Sequence, residues 1–135
     1  MDSRAPLVAI NGLLQEKPTG DRLSLPLRYA ERVREAGGVP VAIPPIGDKR
    51  YLLALLDMVD AVVLSGGDDF DTERLDMGPT HPAAACVPGP KQDFDFELAR
   101  LVLDRGVPVL GICYGMQLLG LADGRAEEQT SELQS

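Results

Sequence analysis

The chain has no tryptophan, a single histidine and only two cysteines in 135 residues. Cys86 and Cys113 are not in CxxC spacing, and one histidine cannot complete a zinc set, so no metal site is expected. Disulfide pairing is not expected in a reducing compartment. Basic residues are also few: 13 Lys and Arg against 21 Asp and Glu leave a net charge of -8, with no basic stripe. That removes the attraction which drives binding to nucleic acid or to an anionic membrane surface. Long apolar runs are missing too. The longest uncharged stretch, Gly106 to Ala122, is shorter than a bilayer span and is interrupted by Pro108, Gln117 and several glycines. The opening MDSRAPLVAI has an acid at position 2 and too short an apolar stretch for a signal peptide, which predicts a cytoplasmic protein.

What is present is the composition of a soluble globular domain, 44% hydrophobic and 25% charged. A chain of this size buries roughly two-thirds of the surface its unfolded form exposes, enough for one aliphatic core. Short β-branched runs recur at Pro6 to Ile10, Val39 to Ile43, Ala61 to Leu64 and Val107 to Ile112. They are apolar at nearly every position, as strands of a parallel sheet covered on both faces should be. Helical segments separate them. Leu23, Leu27, Ala30 and Val33 fall at helical spacing, with Ser24 as a candidate N-cap, Pro26 in the first turn and Gly37-Gly38 as the stop. A second helix is predicted over 49–58, and a third over 92–105 with Phe94, Leu98 and Leu101 facing inward and Gly106 ending it. This βα alternation predicts an α/β fold. The stretch from Ser65 to Pro90 is rich in glycine and proline, and loops of that length are usually functional or disordered. Two regions follow: a domain over 1–122, and a polar tail over 123–135 with too few apolar groups to order itself.

The chemistry concentrates at GICYGMQLL, residues 111–119. Gly111, Cys113 and Gly115 match the G-x-nucleophile-x-G pattern of a nucleophile elbow, a sharp strand-to-helix turn where only glycine fits beside the exposed side chain. An apolar strand leads in and an apolar helix leads out, so the helix N-terminus would favour thiolate over thiol. Acyl chemistry also needs N–H groups aimed at the oxyanion. Tyr114 follows the cysteine and can supply one; Ser65-Gly66-Gly67, after another strand, would emerge at the same sheet edge. A free cysteine at a strand end is more often a packing residue, and both readings stand at this point. Asp68, Asp69 and Asp71 are read as solvated loop acids.

GICYGMQLL resembles the nucleophile segment of class I glutamine amidotransferases. The wider pattern is similar to their γ-glutamyl-γ-aminobutyrate hydrolase, or peptidase C26-like, branch. Tyr29-Ala30, AGGVPVAIPP at 36–45, LLDMVDAVVLSGGDDFD at 55–71, His81-Pro82 and DFDFELARLVLDRGVPVLGICYGMQLLG at 93–120 carry the similarity. The resemblance implies a flavodoxin-like three-layer sandwich with a mainly parallel sheet. It further implies a thioester mechanism on a small γ-glutamyl or glutamine-like substrate, with no cofactor. By position, Cys113 would be the nucleophile, the N–H groups of Gly67 and Tyr114 the oxyanion hole, and Gly66 and Gln117 substrate contacts. Gln117 is equally readable as a helix-surface amide.

In that family the base is a histidine oriented by a glutamate, in an H-x-E arrangement well downstream of the cysteine. The expectation is therefore a sheet incomplete at its C-terminal side, a chain lacking its base, and self-association through an exposed sheet or helix-docking face. His81, in the long loop, is expected to be an exposed loop residue, and Cys86 an inert thiol. Whether the chain is an active enzyme stays open. The alternatives are the glutaminase part of a synthetase and an inactive binding or dimerisation module.

Overall fold

The computed structural model describes residues 4–66, 73–74, 78–79 and 88–124. Among the described residues ten elements follow one another: β1 (Leu7–Asn11), β2 (Leu13–Gln15), β3 (Arg22–Ser24), α1 (Leu27–Glu35), β4 (Val39–Ile43), α2 (Lys49–Met58), β5 (Ala61–Leu64), α3 (Gly89–Arg105), β6 (Val109–Gly111) and α4 (Tyr114–Asp123). Four strands form one sheet in the order β4-β1-β5-β6, every pairing parallel. Leaving out the hairpin β2–β3, the order is 2-1-3-4, the flavodoxin-like arrangement. From β1 the chain crosses one way to β4 and from β5 the other way to β6, so the order reverses between β1 and β5.

Alternation along the strands divides the sheet into two faces. Ala9, Val62 and Leu64 share a core with Leu52 and Leu56 of α2, Leu98 and Val102 of α3, and Leu118 of α4. Val8 and Val63 point the other way, toward α1, where Val33 flanks Gly38 together with Val8 and lines a shallow groove with Val63. A three-layer α/β sandwich results. Its cover is uneven: Leu110 in β6 is 60% exposed and Val39 in β4 46% exposed, because each belongs to an outer strand of the described sheet. The continuous apolar runs predicted complete cover on both faces, and at these outer strands the cover is partial.

Helix ends follow local chemistry. Asp48 caps α2, its side chain accepting from the Arg50 N–H at 2.9 Å. Gly106, at φ 66°, ends α3, while the Val107 N–H returns to the Val102 carbonyl at 3.1 Å. Two sequence expectations are corrected. Leu23 and Ser24 lie in β3, so Ser24 caps no helix; α1 starts at Leu27 behind Pro26, and Leu27 is 74% exposed. Arg22–Ser24 pairs instead with Leu13–Gln15, a backbone partner that helical periodicity does not register. Among the described residues no helix is long and apolar enough to cross a membrane.

Leu98, wholly buried at the centre of α3, tests this core. Leu98→Ala should lower stability by about 2–5 kcal/mol in denaturant unfolding. Leu103→Ala, on the exposed side of the same helix, should stay within about 0.5 kcal/mol of the parent.

Candidate active site

β6 ends at Gly111 and α4 begins at Tyr114, so the chain passes from strand to helix across two residues. Cys113 makes that bend with φ 51° and ψ -109°, and among the described residues no other non-glycine residue has a positive φ. Such a conformation costs about 1–3 kcal/mol and persists only where the surroundings over-determine it. Two glycines let them do so. A Cβ on Gly115 would stand 2.0 Å from the Leu64 carbonyl oxygen, and one on Gly111 would stand 2.7 Å from the Gly115 carbonyl. Only glycine at both positions lets the first turn of α4 seat directly on the end of β5. The bend is also bonded in place: Ile112 N–H donates to the Leu64 carbonyl at 3.0 Å, and Gly115 N–H to the Ile112 carbonyl at 2.9 Å.

The bend leaves Cys113 exposed as a free thiol. It lines a cleft of about 480 Å³, together with Leu13 and Leu14 of β2, Arg28 and Tyr29 of α1, Gly66 and Lys91. A Cβ on Gly66 would stand 3.2 Å from the Tyr29 hydroxyl and 4.0 Å from Cys113 Cβ, so the turn after β5 runs beside the elbow. The cleft therefore lies at the carboxyl ends of the strands, where open α/β sheets bind ligands. The Arg28 guanidinium, 5.2 Å from the Tyr29 ring centre, gives its rim positive charge.

Beneath the elbow lies a polar cluster with almost no solvent contact. Asp95 of α3 is 0% exposed, and Lys91, Asn11 and Ser65 are equally enclosed. Asp95 accepts from Asn11 Nδ2 at 3.1 Å, from the Tyr114 hydroxyl at 3.1 Å, and from the Lys91 ammonium. Asn11 Oδ1 accepts the Ser65 N–H at 2.5 Å, and the Ser65 hydroxyl donates to the Asn11 carbonyl at 2.7 Å. Burial pushes the Asp95 carboxyl above the usual carboxylate range, against the pull of Lys91, Asn11 and Tyr114. The Tyr114 phenol is raised as well, first by burial and then by the Asp95 charge.

Of the residues singled out from sequence, Cys113, Tyr114 and Gly66 come together here. Gln117 lies one turn into α4, exposed and outside the cleft lining, its N–H donating to the Cys113 carbonyl at 3.1 Å. Gly67, His81, Cys86, Asp68, Asp69 and Asp71 lie outside the described residues. Sequence reasoning passed over Arg28 and the hairpin walls Leu13 and Leu14 completely. It also passed over Asn11, Lys91 and Asp95, although one signal was available: Lys91 and Asp95 sit four apart on the stripe that continues through Leu98 and Val102, so two charges interrupt an inward face.

A flavodoxin-like sheet with a cysteine elbow at its carboxyl edge defines a domain of the class I glutamine amidotransferase-like type. The family model for peptidase C26 matches residues 6–132, and the chain belongs to that family. A protein of Mycobacterium tuberculosis, provisionally named a glutamine amidotransferase, is 39% identical over 125 residues, covering 88% of this chain and 40% of that protein. The glutamine-hydrolysing GMP synthase of Nitratidesulfovibrio vulgaris is 40% identical over 103 residues, 76% of this chain and 16% of the synthase. That of Anaplasma marginale is 37% identical over 90 residues, 67% of this chain and 14% of the synthase. The chain thus spans less than half the length of these relatives.

The seating of α4 on β5 is open to direct test. Gly115→Ala should destabilise the chain by about 1–3 kcal/mol, since its methyl group meets backbone that cannot rotate away. Gly47→Ala, where nothing lies within 4 Å of the added methyl, should leave the melting temperature unchanged or slightly raised.

Proposed function

We propose that the chain bears the nucleophile of a cysteine-dependent hydrolase acting on γ-glutamyl amide bonds. The observation that carries this reading is the strained, exposed Cys113 at the head of α4, facing a cleft at the strand ends. In the proposed reaction the Cys113 sulfur adds to the γ-carbonyl carbon, and the oxygen takes up negative charge beside the N–H groups of Tyr114 and Gly67. Collapse breaks the carbon–nitrogen bond, and the amine leaves with the proton that the thiol gave up. Water then cleaves the thioester, releasing the γ-carboxylic acid and regenerating the thiol. Gly66 leaves room for the glutamyl group, Gln117 helps to hold it, and Arg28 offers a charge for a substrate carboxylate. The proton relay belongs, by the resemblance, to a histidine and a glutamate; no histidine falls among the described residues. The reading for these residues therefore covers the nucleophile and the oxyanion donors, and it invokes no cofactor.

A second reading, the glutaminase part of an amidotransferase, draws its support from the similarity to two GMP synthases. A cytoplasmic location belongs to either reading, because a reducing compartment keeps the thiol free. So does self-association of the chain through the β6 side of the sheet, where Leu110 lies exposed beside Val33, Ala36 and Val63.

A glutamine-like chloroketone applied to the purified chain should modify Cys113 at least about tenfold faster than Cys86, as read by mass spectrometry. Equal, slow labelling of both would leave only a binding module. Release of ammonia or amine that is lost on Cys113→Ala decides between the two enzymatic readings: preference for a γ-glutamyl amine supports the hydrolase, preference for glutamine the glutaminase. Light scattering should show a mass that rises with concentration and returns to that of a monomer on Leu110→Lys; a constant monomer mass removes self-association.

A further inference from the structure

The proposed reaction leaves the buried cluster under the elbow without a role. Its layout is unusual in what it joins. One Asp95 oxygen accepts the Tyr114 hydroxyl, and Tyr114 is the first residue of α4 and the proposed donor on the elbow side. The other accepts from Asn11, whose side-chain oxygen holds the Ser65 N–H and whose carbonyl takes the Ser65 hydroxyl. Ser65 and Gly66 follow β5 and precede Gly67 in the chain, the proposed donor on the other side. A single carboxylate is therefore tied through side chains to both backbone turns that would face the oxyanion. Lys91, four residues before it on α3, fixes the carboxylate and lies 5.5 Å from the Tyr114 ring centre.

Net stability is a poor account of such a cluster. Removing two charges from water costs about as much as their attraction returns, and apolar residues of equal volume generally do as well. What apolar residues cannot supply is direction. Oxyanion donors act at about 2.7–3.1 Å, and a misplacement of about 1 Å costs on the order of a hundredfold in rate. The spacing between the α4 turn and the β5 turn is the dimension that matters, and no described backbone hydrogen bond beyond Ile112 to Leu64 spans it at that level.

We propose that Asp95 is a positioning residue for the acyl chemistry: through Tyr114 on one side and Asn11 with Ser65 on the other, it holds the Tyr114 donor against the Ser65-Gly66 turn beside Cys113. This rests on the reading of Cys113 as an acyl nucleophile, so the test compares two reagents at the same sulfur. A glutamine-like chloroketone forms a sulfur–carbon bond and loses chloride after its ketone oxygen has taken up charge at the donors. Iodoacetamide forms the same kind of bond and loses iodide by direct displacement, with no oxyanion. In both, the thiol proton goes to buffer.

Second-order rates of Cys113 modification are measured on the full chain, Asp95→Asn and Tyr114→Phe. The chloroketone rate should fall about 10- to 100-fold in the variants while the iodoacetamide rate stays within about twofold. Parallel loss with both reagents would mean a general structural role and overturn the inference, as would unchanged chloroketone rates. Should Asp95→Asn fail to fold, because it strands the Lys91 charge, Tyr114→Phe carries the test alone: it keeps the ring and the backbone N–H and loses one hydroxyl. If the parent chain itself shows no chloroketone preference for Cys113 over Cys86, the acyl-nucleophile reading fails and this inference with it; a preferring parent with unaffected variants sinks the inference only.

Discussion

The Leu64 carbonyl oxygen occupies the space that a side chain at position 115 would need. That contact fixes how closely α4 approaches the end of β5, and the rest of the site follows from it. With the helix so close, two residues must turn a strand end into a helix start, and Cys113 is left with a backbone conformation that L-residues rarely adopt. The same bend that strains the backbone turns the thiol away from the core toward the strand ends. Strain, exposure and position are three results of one steric condition.

Around this contact the protein places two kinds of material. On the core side of the sheet, aliphatic residues of α2, α3 and α4 close over Ala9, Val62 and Leu64. Directly under the elbow the filling changes to Asn11, Ser65, Lys91, Asp95 and Tyr114, a polar set with its hydrogen bonds made internally. Polar groups at such depth offer little stability for their desolvation, and local departures from the rule of an apolar interior tend to mark functional sites. The switch from apolar to polar filling coincides with the point where the strand order reverses and a ligand cleft is expected.

The cleft walls come from parts of the chain far apart in sequence. The β2–β3 hairpin contributes Leu13 and Leu14, the head of α1 contributes Arg28 and Tyr29, the β5 turn contributes Gly66, and α3 contributes Lys91. A hairpin of three-residue strands has little periodicity, and Leu23 with Ser24 imitated a helix start closely enough to mislead. The bend at Cys113 was legible because its requirement is local: glycine, cysteine and glycine within five residues are all that it demands of the sequence. Arg28 and Asn11 were not, since nothing adjacent to them in the chain signals that a cysteine lies across the cleft or a carboxylate across the core.

From the amino-acid order alone came the βα alternation, the strands later seen as β1, β4, β5 and β6, the inward stripe of α3 and the elbow at Cys113, because period, capping and turn chemistry act over a few residues. Tertiary structure decided which strands became outer strands, that the end of α1's predicted stripe belonged to a hairpin, and that Asp95 bonds at once to residues 84 positions before it and 19 after it. Those are consequences of packing between elements, and a contact that closes only when the chain is folded leaves no periodic trace in the segments that make it.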